Sequence, residues 1–117
     1  MFFPEPNIKI WQCTQPTDMR KSFDGLAALA KNQLQEDPVS GELFVFVNKK
    51  RNYLKLLYFD RSGYCLWAKR LEAGQYHVLF DRDRTGLSKR EIDLTQLRFL
   101  LEGLVENNYK RRKRYKK

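Results

Sequence analysis

Apolar and polar positions follow two different periods along this chain, and the places where the period changes outline its elements. Ile8 and Ile10 flank Lys9, the alternation of a half-buried strand running from Ile8 to Cys13. Pro16-Thr17-Asp18 interrupts it and supplies oxygens suited to the free amides of a first helical turn. Phe23, Leu26, Ala27, Ala30 and Leu34 then fall at helical spacing on one stripe, which Asp37-Pro38 ends. From Glu42 to Asn48 the run is β-branched and aromatic without a break, which suits a central strand covered on both faces. A polar turn over Asn48 to Asn52 leads into a strand from Tyr53 to Phe59. The turn Asp60-Arg61-Ser62-Gly63 leads into another from Tyr64 to Leu71. A further short strand is expected around Gln75 to Phe80, and one more near Ile92. Leu94, Leu97, Leu101 and Leu104 mark a closing helix capped by Asp93 or Thr95.

Strands in succession between two helices predict an α+β fold. The expected form is a single antiparallel sheet, a meander, with one long helix from the N-terminal half packed on it and a short C-terminal helix. Phe23 and Leu26 should face the sheet, with Lys31 on the exposed arc. Gly25, costly within a helix, is expected to allow close packing of helix on sheet. No repeat or linker divides the chain, so residues 1–108 are expected to form one domain.

Composition supports a folded chain. With 117 residues, 42% hydrophobic and 14% aromatic, it can bury a core of its own. Its longest apolar runs are five residues, Leu26 to Ala30 and Leu43 to Val47, far short of a membrane span. Two cysteines, Cys13 and Cys65, are too few for a disulfide framework. The N-terminus lacks the pattern of a signal peptide, and a cytoplasmic protein with reduced thiols is expected.

Charge alters the picture through its distribution. The formal net charge is +9, yet seven of the 23 cations lie in the last nine residues, where there is no acid. The remaining chain is close to neutral. Residues 109–117 therefore read as a basic, flexible tail on a neutral body, and such a tail attracts polyanions through its field. Lys110, Arg111, Arg112, Lys113 and Arg114 are its candidate phosphate contacts; a solubilising end is the bland alternative.

A second basic group comes from the strands. Lys49, Lys50 and Arg51 occupy a hairpin tip, with Lys55 on the next strand and Lys69-Arg70 on the one after. Tyr53, Tyr58, Tyr64 and Trp67 interleave with them, as on a sheet face that tracks a phosphate backbone and stacks bases. The same residues also read as core aromatics with lysines blunting a strand edge. Arg20 and Lys21 fall in the expected first helical turn, where the dipole disfavours cations. That placement suits an anionic partner, or for Arg20 an ion pair with Asp18 or Asp24.

Catalytic parts do not assemble in the sequence. The acids Asp18, Asp24, Asp60, Asp81, Asp83, Glu91, Asp93 and Glu102 are scattered, and several suit caps and turns better than a two-metal site. His77 is the sole histidine, the glycines form no phosphate loop, and neither cysteine lies in a nucleophile motif. The expectation is a protein without catalysis, metal or cofactor.

Several segments in order resemble one known family. They are Thr17-Asp18-Met19-Arg20-Lys21-Ser22-Phe23-Asp24-Gly25-Leu26, then Gly41 to Phe46, Leu54 to Asp60, Gly63 to Gly74, and the closing Leu94 to Gly103. Together they resemble the TnpB-type accessory protein, the second open reading frame, of the insertion sequence 66 family. The resemblance covers about residues 7–104. It departs at His77-Val78-Leu79-Phe80, where the family usually carries a Trp-Pro-like segment. The tail lies beyond it. The resemblance implies a protein that is not the transposase but is needed beside it for transposition in bacteria. Nucleic acid, DNA in particular, and the transposase or another element-encoded protein are the partners expected. An adaptor that binds only the transposase is the competing reading.

Overall fold

A computed structural model describes residues 7–80 and 88–103. The elements in chain order are β1 (Ile10–Cys13), α1 (Phe23–Asn32), β2 (Leu43–Val47), β3 (Tyr53–Asp60), β4 (Gly63–Arg70), β5 (Lys89–Ile92) and α2 (Leu94–Glu102). The five strands form one sheet in the order β4-β3-β2-β1-β5. β2, β3 and β4 are joined by tight turns and pair antiparallel. β1, however, pairs parallel with β2, Ile10 opposite Leu43 and Gln12 opposite Val45, and antiparallel with β5. The sheet is therefore mixed, and the expected all-antiparallel meander is wrong. A parallel pair cannot be closed by a hairpin and needs a long crossover, which here is the segment containing α1.

The expected long helix is also corrected. α1 has ten residues, beginning at Phe23 and ending well before Pro38. It stops because Gln35 takes a left-handed backbone, φ 55°, while Leu34 and Glu36 donate their amides back to Leu29 and Ala30. Thr17-Asp18 does not start it. The position before the first turn belongs to Ser22, which makes no side-chain cap. Phe23 is 44% exposed and not buried, whereas Leu26 is fully buried and Lys31 is exposed. Gly25 does not serve close packing on the sheet. An added Cβ there would meet only the stem of Lys21, at 3.1 Å.

Side chains alternate across the sheet and build a core on each face. On one, Cys13, Phe44, Phe46 and Leu57 pack with Leu26, Ala27, Ala30 and Leu34 from α1 and its end. On the other, Ile10, Leu43, Val45, Val47, Leu54 and Leu56 pack with Leu97 and Leu100 of α2 and with Tyr76 and Val78. Every residue of β2 is buried, as its unbroken apolar run requires.

The strand expected around Gln75 to Phe80 is absent. That segment alternates as a strand would, with Tyr76 and Val78 buried and His77 and Leu79 exposed. It joins no ladder, however. It crosses the α2 face of the sheet, tied by the Tyr76 hydroxyl donating to the Lys69 carbonyl and the Tyr76 amide donating to Arg51. Burial pushes the Tyr76 phenol up to about 12. β5 does form at the edge beside β1, four residues long and charged at Lys89, Arg90 and Glu91, a pattern that discourages further strand pairing.

Candidate nucleic-acid interface

Hydrogen bonds gather several basic positions of the fold at one end of the sheet. Asn48 closes the β2–β3 turn, its side-chain oxygen accepting from the amides of Asn52 and Tyr53 at 2.9 and 3.0 Å. That tip carries Lys49 and Lys50 into solvent. The Thr17 amide donates to the Val47 carbonyl at 2.9 Å, which seats the 17–22 loop beside the same tip. The end of β4 reaches it too, since Tyr53 pairs with Arg70 and Leu71 donates to Asn52. α2 finishes there as well, because the Lys69 ammonium donates to the Leu101 carbonyl at 2.8 Å. A cation at this position answers the free carbonyls and the negative dipole end of a helix.

The candidate cations differ in what they already hold. Lys55 is 8% exposed, and its ammonium donates to the carbonyls of Met19 and Lys21 at 2.8 and 2.7 Å. It pins the loop before α1 to β3. Arg51, at φ 60°, donates to the Val78 carbonyl at 2.9 Å and lies 4.6 Å over the Phe80 ring. Lys69 serves the end of α2. These three act inside the fold. Their sequence signal, a Lys or Arg in a basic run, is the same as that of a surface cation, and only burial separates them.

Arg20 precedes α1 instead of lying in its first turn. Its guanidinium grips Asp18 with both carboxylate oxygens engaged, the closest contact being 2.7 Å. The bonds from the Arg20 side chain and amide hold the Asp18 carboxyl down at about 2. Arg70 faces Glu72 at 3.4 Å with both side chains largely exposed, a pair of small worth. Lys21, Lys49 and Lys50 are exposed. Of the aromatics, Tyr53 lies 5.6 Å from the Lys55 ammonium, and Tyr58 and Trp67 pack against the α2-side core. Tyr64 packs against the α1-side core and meets Phe59 edge-on at 5.1 Å. Burial and the neighbouring Cys65 raise Tyr58 to about 12. Lys110, Arg111, Arg112, Lys113 and Arg114 lie outside the described residues.

Sequence reasoning passed over another charged group at the opposite edge. Lys89 of β5 bonds Glu36, which follows α1, and sits 4.5 Å over the Trp11 ring, while the Trp11 indole donates to Glu42 at 3.1 Å. The partners lie 31 or more positions apart, so no local pattern could have revealed them. Among the described residues, no group of three or more His, Cys, Asp or Glu converges to hold a metal, and no helix is long and apolar enough to cross a membrane.

These features define a small mixed-sheet domain, helix-covered on both faces, with several of its cations at one end and others, Lys89 among them, elsewhere. The chain belongs to the IS66 Orf2 like protein family, which matches residues 8–111. The match reaches three positions into the basic tail, further than the segments named above suggest. Two proteins of Sinorhizobium fredii are similar. The uncharacterized protein y4hO is 39% identical over 98 residues, covering 84% of this chain and 82% of that one. The uncharacterized protein y4jC is 40% identical over 76 residues, covering 65% of each chain. No solved structure matches. Membership makes this an accessory protein of an insertion sequence.

Proposed function

We propose that the protein assists transposition by contacting nucleic acid, DNA above all, through the basic end of its sheet together with its C-terminal tail, without catalysis of its own. The observation that carries this reading is the convergence of the 17–22 loop, the hairpin tip and the end of α2. Lys21, Lys49 and Lys50 have their ammonium groups in solvent, with Arg20 and Arg70 held only by exposed acids. Gly103 ends α2 two residues beyond the Lys69 contact, and six residues further on the tail begins. Those six residues span at most about 20 Å even when extended. One phosphate backbone can thus meet both groups.

A tail and three exposed lysines contribute charge and not base reading, so the contact should be tight at low salt and indifferent to sequence. Removing residues 109–117 should leave the melting temperature nearly unchanged. It should lower DNA affinity and flatten the dependence of log affinity on log salt by about two to four units. Lys49→Glu with Lys50→Glu should weaken binding further without altering the fold. Electrophoretic mobility with duplex, single-stranded and RNA probes, beside co-purification with the transposase, measures this. Unchanged affinity and salt slope in the truncated protein would remove the tail from the interface. A full-length protein that binds no nucleic acid at low salt, yet co-purifies with transposase, would establish the adaptor reading instead.

A further inference from the structure

The α2 face of the sheet holds a cavity of about 400 Å³ between β1, β5, α2 and the segment that crosses that face. Its size lies within the range of about 300–1,000 Å³ usual for small-ligand sites. Gln12 of β1 lies at its base. The side chain is 5% exposed, and its amide nitrogen has no hydrogen-bond partner among the described residues. A buried amide left unpaired is costly, so such a group asks for an acceptor from outside the chain.

The rest of the lining narrows what that acceptor can be. Arg90 stands directly opposite Gln12 in the β1–β5 ladder, so the two side chains are neighbours on one face. The Gln96 oxygen is committed to the Asp93 amide at 2.8 Å, which leaves its NH2 group to donate. His77 adds a fourth polar side chain, and no acid lines the cavity among the described residues. Ile92 and Leu100 make its apolar wall, and Phe99, 58% exposed, stands at its rim. An occupant must therefore accept hydrogen bonds along one edge, carry negative charge near Arg90 and offer a flat apolar face to Phe99. An acidic side chain has the charge but lacks the flat face.

We propose that this cavity binds a nucleotide whose base is unpaired. The base stacks on Phe99, its acceptor edge meets the Gln12 and Gln96 amides, and its phosphate meets Arg90. This deepens the nucleic-acid reading and rests on it. The basic end and tail would hold any phosphate backbone, while the cavity would select a strand with a base out of the stack.

Full-length protein should be titrated, at salt high enough to suppress purely electrostatic contacts, with two labelled duplexes that differ only by one unpaired nucleotide. The duplex carrying it should bind about tenfold more tightly, in keeping with the worth of one base–aromatic stack. Phe99→Ala and Arg90→Ala, both at exposed positions, should each abolish that preference without lowering the melting temperature. Truncation of the tail should weaken both duplexes alike. In a parallel NMR titration, dTMP should shift the Gln12 side-chain amide, and an aspartate-rich peptide should not. Equal affinity for both duplexes, with the tail's salt dependence intact, overturns the cavity's role and leaves the nucleic-acid reading standing. Failure to bind either duplex at any salt overturns both. A response to the peptide and none to dTMP overturns the nucleotide and assigns the cavity to a protein partner.

Discussion

Lys55 is buried to 8% exposure with its side-chain nitrogen bonded to two backbone carbonyls, those of Met19 and Lys21. Substituting Lys55→Met keeps most of the stem but leaves both oxygens without their donor. Stability should fall by about 1–3 kcal/mol, read by urea denaturation at neutral pH. Asp18 offers a titration instead. Its carboxyl lies at about 2, below an ordinary value near 3.8, through the bonds from Arg20. Because the folded value is the lower one, the contact stabilises the loop above pH ~4. It is lost progressively as pH falls through about 2. NMR titration of the Asp18 carboxyl should show this, and Arg20→Gln should return the midpoint toward 3.8. High salt should weaken the effect, since both groups are exposed.

The two helices are held by different means. α2 carries a reciprocal cap, Asp93 accepting from the Gln96 amide at 2.7 Å and Gln96 accepting from the Asp93 amide. Asp93→Ala should cost about 1 kcal/mol, measurable as a lower denaturation midpoint. α1 has no such cap and depends on its buried stripe. Gly25→Ala should therefore be tolerated. The new methyl group meets the Lys21 Cβ and Cγ at 3.1 and 3.2 Å, a contact that a shift of a few tenths of an ångström relieves, while alanine favours the helix by up to ~1 kcal/mol. A melting temperature several degrees lower would mean that Gly25 has a packing role the geometry does not reveal.

At the scale of the whole molecule, the sheet is the shared wall of two cores, so damage to either face should spread. Leu26 is fully buried on the α1 side against a cluster that includes Phe44, Phe46 and Leu57. Leu26→Asp would place an unpaired carboxylate there, at a cost of about 4 kcal/mol or more. Against the total stability of a domain this size, about 5–15 kcal/mol, the loss should show as a much earlier cooperative melt by circular dichroism.

Much of this was legible in the order of residues, because periodicity reports local structure. The unbroken run Leu43–Val47 marks a strand covered on both faces, the Leu spacing after Asp93 marks α2, and the segments shared with the family stand in sequence order. What tertiary structure alone decided is pairing. A strand does not carry the direction of its neighbour, so the parallel place of β1 between β2 and β5 stayed hidden, although a strand–helix–strand order was its one signal. Alternation at Gln75–Phe80 likewise reports which side chains are buried and not whether a ladder partner exists. The cations divide in the same way. Their number and the basic tail follow from composition, but Lys55, Arg51 and Lys69 were assigned inward only when distant carbonyls came within bonding distance. The cavity at Gln12 needs residues from β1, β5, α2 and the crossing segment at once, and no local period can report such a meeting.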